Sequence, residues 1–195
     1  MIRLYRHPLE RLSIKRLLVL VSSQILPGYQ LRVGTKRERD TLLTFLQLSY
    51  QELFPAQKDF SHLSVTVKQY FSRETPLWWV EPVVAAVPED TSLVPRSPLV
   101  SEPIACLWMG NAIDQVEGNR YAHVFLLYVV PEYRRRGIGS ALMRHAENWA
   151  RTRGDRQIGL QVFQYNQPAM TLYRQLGYQT QSLLMVKPLS SQSPE

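Results

Sequence analysis

"VVPEYRRRGIGSALMRHAENWA", Val129 to Ala150, sets three consecutive arginines and two glycines between a β-branched run and a helical pattern. A strand that runs into a glycine-containing turn and then a helix presents free backbone N–H groups at the helix start. Those groups and the helix dipole together favour an anion. Glycine lets a ligand approach the backbone where a Cβ would intrude. Arginine adds a charged fork suited to phosphate oxygens. Arg134, Arg135, Arg136, Gly137 and Gly139 therefore read as a pyrophosphate cradle. A solvated basic turn, with glycines for tight strand–helix packing, is the other reading, and the turn alone does not choose. It is neither a dinucleotide fingerprint, since the third glycine is missing, nor a Walker loop, since no Gly-Lys-Ser/Thr follows.

Outward from the turn, "RYAHVFLLYVV" (120–130) has the near-continuous apolar run of a central strand covered on both faces. The pattern from Gly137 to Arg153 repeats Ile138, Leu142, His145 and Trp149 at helical spacing, with Gly154 as a C-terminal cap. "RQIGLQVFQ" reads as a strand, "NQPAMTLYRQLG" as a helix with an Asn cap and an early proline, and "YQTQSLLMVKPL" as a final strand. Upstream, "YQLRVGT" and "LWWVEPVVAAV" read as strands and "KRERDTLLTFLQLSYQELF" as a helix. "SHLSVTVKQYFSRE" fits a helix, or a strand through its β-branched centre. "PEDTSLVPRSPLVSEP" is a proline-rich loop between strands. This order implies a mixed α/β sheet with helices on both faces.

The first 28 residues are expected to form an added amphipathic helix ending at Pro27-Gly28, packed on the domain or on a partner. They have the basic start of a signal peptide but no small-residue cleavage site, and Glu10 interrupts the basic part. The chain organisation is thus an N-terminal extension over 1–28, one domain over 29–189 and a disordered tail over 190–195. The chain has 195 residues, 45% of them hydrophobic, and no apolar run long enough to span a bilayer. A net charge of +7 fits an anionic partner. The single cysteine, Cys106, excludes an internal disulfide and a multi-cysteine metal cluster, and reads as a buried structural thiol in a reducing, cytoplasmic compartment.

The turn resembles the acetyl-CoA loop of the GNAT superfamily of N-acyltransferases, Gln/Arg-x-x-Gly-x-Gly/Ala. It stands here as Arg134-Arg135-Arg136-Gly137-Ile138-Gly139, preceded by Val129-Val130-Pro131. A second block, "YNQPAMTLYRQLGY" (Tyr165 to Tyr178), resembles the family's Asn-x-x-Ala…Leu-Tyr-x-x-x-Gly-Tyr/Phe segment. The resemblance is strong over Tyr121 to Val186, weak over Tyr29 to Asn119 and absent before Gly28. It implies a GNAT-type mixed, mostly antiparallel sheet flanked by helices. It also implies an acetyl-CoA-dependent N-acetyltransferase acting on an amine acceptor, a small molecule or a protein amino group, and needing no metal.

The resemblance further implies residue roles. Backbone groups of Leu127, Tyr128 and Val129 would bind the thioester carbonyl and pantetheine arm. The N–H groups from Arg135 through Ser140, Ile138 included, would hold the pyrophosphate, and the Asn166 side chain the cofactor arm. The Tyr173 hydroxyl would protonate the departing thiolate. Ribosomal-protein-type N-terminal acetyltransferases of the superfamily often carry a Glu at the position of Gln161, and Gln cannot accept a proton. Others place a Glu on the central strand, at the position of His123, whose imidazole titrates near neutrality. His123 is therefore a candidate base, against the plainer reading of a histidine bonded to backbone at the sheet end. Glu52 and Glu81 are further acids in the acceptor half. A non-catalytic acyl-CoA-binding or sensing module is the alternative function. No nucleic-acid module is recognisable, and a homodimer through the N-terminal helix is open.

Overall fold

The computed structural model describes residues 23–83 and 101–189. The chain divides into two compact units, Met1–Gln161 and Val162–Glu195. In the first, six strands form one sheet in the order β1-β2-β3-β4-β5-β6. The strands are β1 (Ser23–Leu26), β2 (Tyr29–Val33), β3 (Leu77–Pro82), β4 (Ala105–Ile113), β5 (Arg120–Val129) and β6 (Ile158–Leu160). Pairing is antiparallel from β1 through β5, and β6 joins β5 in parallel. The parallel pair is reached through helix α3 (Ile138–Thr152), as a parallel connection requires a crossover.

Side chains alternate across a strand, so the pair Trp78-Trp79 in β3 marks the two faces of the sheet. Trp79, fully buried, meets Phe45 of α1 (Arg39–Leu53) at 5.1 Å between ring centroids. Its neighbour Trp78 meets His145 and Trp149 of α3, at 4.8 and 5.7 Å. Helices α1 and α2 (His62–Tyr70) thus cover one face and α3 the other. Leu42, Phe45 and Leu46 of α1 are buried. At roughly 1.5–3 kcal/mol each, they outweigh any intrinsic helix preference of the segment. Packing of its apolar stripe holds α1 in place.

Strand β5 carries a bulge. Trp108 of β4 pairs with Leu126 but Met109 with Val124, which leaves Phe125 as an extra residue. Gly110 makes room for it, because a Cβ there would collide with the Phe125 ring. A bulge re-aims the residues on either side. Here Ala122 and Val124 lie toward the α3 face, with Met109, while Leu126 and Tyr128 join the α1 core.

The second unit, described over 162–189, holds α4 (Gln167–Gln175), with Asn166 as its cap: the side-chain oxygen accepts the Ala169 N–H at 3.2 Å.

Two expectations change. The helix expected over 1–28 lies outside the described residues up to position 22, and its last turn is instead β1, paired with β2. The helical spacing of Leu20, Val21 and Ile25 loses to the edge of the sheet, which offers Ser23–Leu26 a ladder of backbone hydrogen bonds. The final strand expected from Tyr178 does not form, and residues 178–189 carry no strand. Leu183, Leu184, Met185 and Val186 are exposed, and only Val186 among them is β-branched, so the run has little strand preference of its own. Strand β3 spans Leu77–Pro82, and residues 84–87 of the expected strand lie outside the described residues. Most of the proline-rich loop lies outside the described residues. The segment with two open readings, 61–74, is the helix α2.

Candidate active site

The turn after β5 begins with a 3-10 turn at Pro131–Tyr133 and then alternates in backbone conformation. Arg134 is extended, Arg135 has φ +63°, and Gly137, the N-cap of α3, has φ +82°. Alternation of this kind turns successive N–H groups toward one concavity, a nest for anions. Among the described residues no N–H from Arg135 through Ser140 has a protein acceptor, and Gly137 supplies no side-chain cap. The first bond of the helix runs from the Ala141 N–H to the Gly137 carbonyl, at 3.0 Å.

A second set of backbone groups lies beside this row. Strand β6 pairs with β5 only from Ala122 to Val124. Beyond that point β5 keeps β4 on one side and has no β6 residue on the other. The Val130 N–H donates to Ile104 on the β4 side at 2.9 Å. Alternation then turns the backbone of Tyr128 toward Cys106 of β4, and the backbones of Leu127 and Val129 toward the open edge. Of the three residues expected to hold the arm, Leu127 and Val129 present their backbone there and Tyr128 does not.

The arginine side chains divide their work. Arg134 is committed to the protein: its Nη2 donates to both Glu52 oxygens at 2.7 and 2.8 Å, and its Nε to the Val129 carbonyl at 2.8 Å. Arg136 donates to the Tyr29 hydroxyl at 3.1 Å and the Glu132 carbonyl at 2.9 Å, with its guanidinium over the Tyr133 ring. Arg135 is exposed and makes no side-chain bond among the described residues. It is the arginine free to meet a phosphate.

His123 stands on β5 between two glycines, Gly110 of β4 and Gly159 of β6. Its ring lies 5.4 Å from Phe125, and its Nδ1 is buried with no hydrogen-bond partner among the described residues. Burial holds its pKa below the ordinary 6.5, so the neutral imidazole is the form present at pH 7. The expectation of a backbone-bonded histidine finds no support at Nδ1. Glu81 is buried and ion-paired to Arg32 at 2.7 Å, within a chain that continues from Arg32 to Glu38. It is a structural anion. Glu52 is held by Arg134 and by the Tyr128 hydroxyl, which donates to it at 2.6 Å. Cys106 is fully buried and its thiol is pushed up by desolvation, so it is no nucleophile.

In the second unit, Asn166 spends its side-chain oxygen on capping α4. Tyr173, on α4, packs against Tyr178 at 5.8 Å, and burial pushes its hydroxyl up to about 12. Gln161 is exposed just past β6. The network of Glu52, Tyr128 and Arg134 was not legible in advance. Its members are 76 and 82 residues apart in sequence, and only the acidic character of Glu52 marked it.

One further cleft, of about 450 Å³, lies at the opposite end of the sheet among Arg73, Asn111, Arg120, Trp149 and Arg153. Asp155 pairs there with Arg120 and Arg153 at 3.3 and 3.2 Å, which marks it as a structural ion cluster remote from the turn.

Comparison with known proteins gives concordant findings. The chain is 28% identical over 163 residues to an uncharacterized N-acetyltransferase of Methanocaldococcus jannaschii, covering 82% of this chain and 65% of that protein. A putative acetyl transferase from Pyrococcus furiosus shares the fold, with TM-score 0.63 and 23% identity, over 83% of this chain and 99% of that one. So does a predicted acetyltransferase with acetyl-CoA from Clostridium acetobutylicum, with TM-score 0.60 and 15% identity, over 83% and 96%. The model of the Acetyltransferase (GNAT) family matches residues 45–178, from the buried face of α1 through the arginine–glycine turn to Tyr178 beyond α4. Match, fold and turn agree: the chain belongs to the GNAT acetyltransferase family.

Proposed function

We propose that the chain is an acetyl-CoA-dependent N-acetyltransferase, moving an acetyl group to a primary amine by direct attack in a ternary complex. The observation that carries this reading is the uncommitted N–H row from Arg135 through Ser140 at the start of α3. It suits a pyrophosphate, and the Arg135 side chain adds charge beside it. The backbone of Leu127 and the N–H of Val129, along the edge of β5 that β6 does not pair, suit the amide-bearing arm of the cofactor, while the Val129 carbonyl is held by Arg134. Bound there, the cofactor supplies an activated acetyl thioester. The name of the archaeal relative supports nitrogen as the accepting atom. A small-molecule amine and a protein amino group both remain acceptors consistent with this site.

The protein's own groups then have two protons to manage. His123 takes a proton from the acceptor nitrogen, directly or through water, as that nitrogen bonds to the acetyl carbon. Its lowered pKa keeps it ready as a base. Tyr173 keeps its proton to about pH 12 and donates it toward the sulfur as the carbon–sulfur bond breaks. Orientation of two bound molecules contributes at least as much as either proton step.

The pH profile tests His123. Because burial lowers its pKa, the base form is lost only below 6.5, so kcat/KM should fall with a midpoint under that value. An α-amine acceptor is itself increasingly protonated below about 8, so His123 appears as a second, steeper fall below 6.5. In His123→Ala that steepening should disappear and leave the amine's own slope, and an unchanged profile would remove His123 as the base.

The second reading, an acyl-CoA-binding module without catalysis, is favoured by Gln161, where family members often hold a Glu. Presenting acetyl-CoA and a panel of amines to the full chain separates the two. Release of free thiol that depends on the amine supports the enzyme, whereas CoA binding with no thiol release supports the module.

A further inference from the structure

Glu52 belongs to no step of the chemistry above, yet it is bonded to the turn that would hold the cofactor. It lies at the C-terminal end of α1, one of the two helices that cover the Trp79 face of the sheet. Arg134 reaches it with two bonds from one guanidinium nitrogen, at 2.7 and 2.8 Å. The Nε of the same guanidinium bonds the Val129 carbonyl at 2.8 Å, and the group lies 5.4 Å from the centre of the Tyr128 ring. Tyr128 closes the circuit by donating its hydroxyl to Glu52 at 2.6 Å. Desolvation and the Glu52 carboxylate hold that hydroxyl protonated, so it remains a donor.

Exposed ion pairs taken singly contribute little, because water screens them and two side chains must be ordered. Both partners here are part-exposed, at 41% and 40%. The exception to that rule is a network with well-directed bonds, and this network ties three elements together at one residue. The position matters more than the strength. Arg134 immediately precedes Arg135, a side-chain-bearing residue at φ +63°. Residues with a Cβ adopt that conformation only when their surroundings impose it. The tether on Arg134 restrains the turn on the side of β5, as the bonds of Arg136 to Tyr29 and Glu132 do on the other side of Arg135.

We propose that Glu52 is a positioning residue for the cofactor turn. It holds Arg134 as a strut, and the strut keeps the N–H groups from Arg135 through Ser140 aimed at one place. On this view the first arginine of the signature is not a phosphate ligand, and Arg135 is. The proposal rests on the acetyl-CoA reading given above. It predicts that loss of Glu52 weakens cofactor binding and spares the chemical step.

Calorimetric titration of the full chain with CoA, alongside steady-state kinetics, tests it. Glu52→Gln should weaken CoA about tenfold and raise the acetyl-CoA KM in step. Its kcat at saturating acetyl-CoA should stay within about twofold of the unmodified protein. Arg134→Ala should weaken CoA similarly, and the double variant should be at most about twofold worse than the weaker single one, as expected for partners in one strut. The salt dependence of CoA affinity should survive in Arg134→Ala, since no phosphate contact is lost. Tyr128→Phe, which keeps Arg134 and Glu52 paired, should shift affinity in the same direction by less, and serves if Glu52→Gln does not fold. If Arg134 were a phosphate ligand, freeing it would leave CoA affinity unchanged or tighter in Glu52→Gln, and that result overturns the proposal. A fall in kcat at unchanged affinity, or additive single effects, overturns it too. If the unmodified protein fails to bind CoA, the cofactor reading itself falls and this inference falls with it.

Discussion

With Tyr173 as the proposed proton donor, replacing it by Phe should lower kcat by about 10²–10⁴-fold, the usual contribution of such a group, and leave CoA affinity nearly unchanged. The substitution removes one oxygen and keeps the ring that packs against Tyr178 at 5.8 Å. It therefore isolates the hydroxyl from the packing of α4. Burial raises that hydroxyl to about 12, and the sign of the shift has two consequences. The first is that Tyr173 is protonated throughout neutral and mildly alkaline pH, the state a donor to sulfur must be in. The second concerns balance: a phenol at about 12 is a weaker acid than a thiol near 8.5. It stabilises a departing thiolate by a strong hydrogen bond, and full transfer needs a compensating proton from the acceptor side. Between pH 7 and 10, accordingly, no loss of rate should trace to Tyr173. Single-turnover rates with saturating acetyl-CoA decide the matter. A Phe variant that turns over at the normal rate, or an alkaline limb in that range that the Phe variant abolishes, would remove Tyr173 as the donor.

The second large effect is at Gly137. Its φ of +82° lies in the left-handed region, and Gly137→Val should destabilise the protein by about 1–2 kcal/mol or more. Space is not the reason, because the nearest atom to an added Cβ is a Leu26 methyl at 3.9 Å. Conformation is. If the residue instead relaxes to negative φ, the N–H groups that follow are re-aimed, and CoA affinity should fall at least about tenfold. Gly154 supplies the control. It has φ +78° just past the C-terminus of the same helix, with nothing within reach of an added Cβ. Gly154→Val should therefore show a comparable loss of melting temperature with CoA affinity intact. Equal CoA affinity in the two variants would mean that the turn at Gly137 does not shape the anion site.

Much of the candidate site was legible because its signal is local. A helix start with glycine at the cap, and a strand that runs into it, are matters of a few adjacent residues. The order Arg134-Arg135-Arg136-Gly137-Ile138-Gly139 is enough to specify them. The buried faces of α1 and α3 and the span of β5 were legible for a related reason: apolar periodicity is written along the chain, and each helix or strand either has it or lacks it.

What depended on distant partners was not legible. Ser23–Leu26 follows a helical spacing yet pairs as β1, because an edge strand was available to it. Residues 183–186 form an apolar run yet no strand, and Leu and Met, unlike Val, carry little strand preference of their own. Three consecutive arginines look equivalent in sequence, but Glu52 and Val129 claim the first, Tyr29 and Glu132 the third, and only the second is left to a ligand. The bulge at Phe125 likewise needs a missing Cβ at Gly110 on a neighbouring strand. The sequence by itself determined where backbone donors would be exposed, since that follows from the torsions of neighbouring residues. Only the tertiary structure decided which side chains remained to serve them, because a charged group binds whichever partner the packed fold brings within about 3 Å.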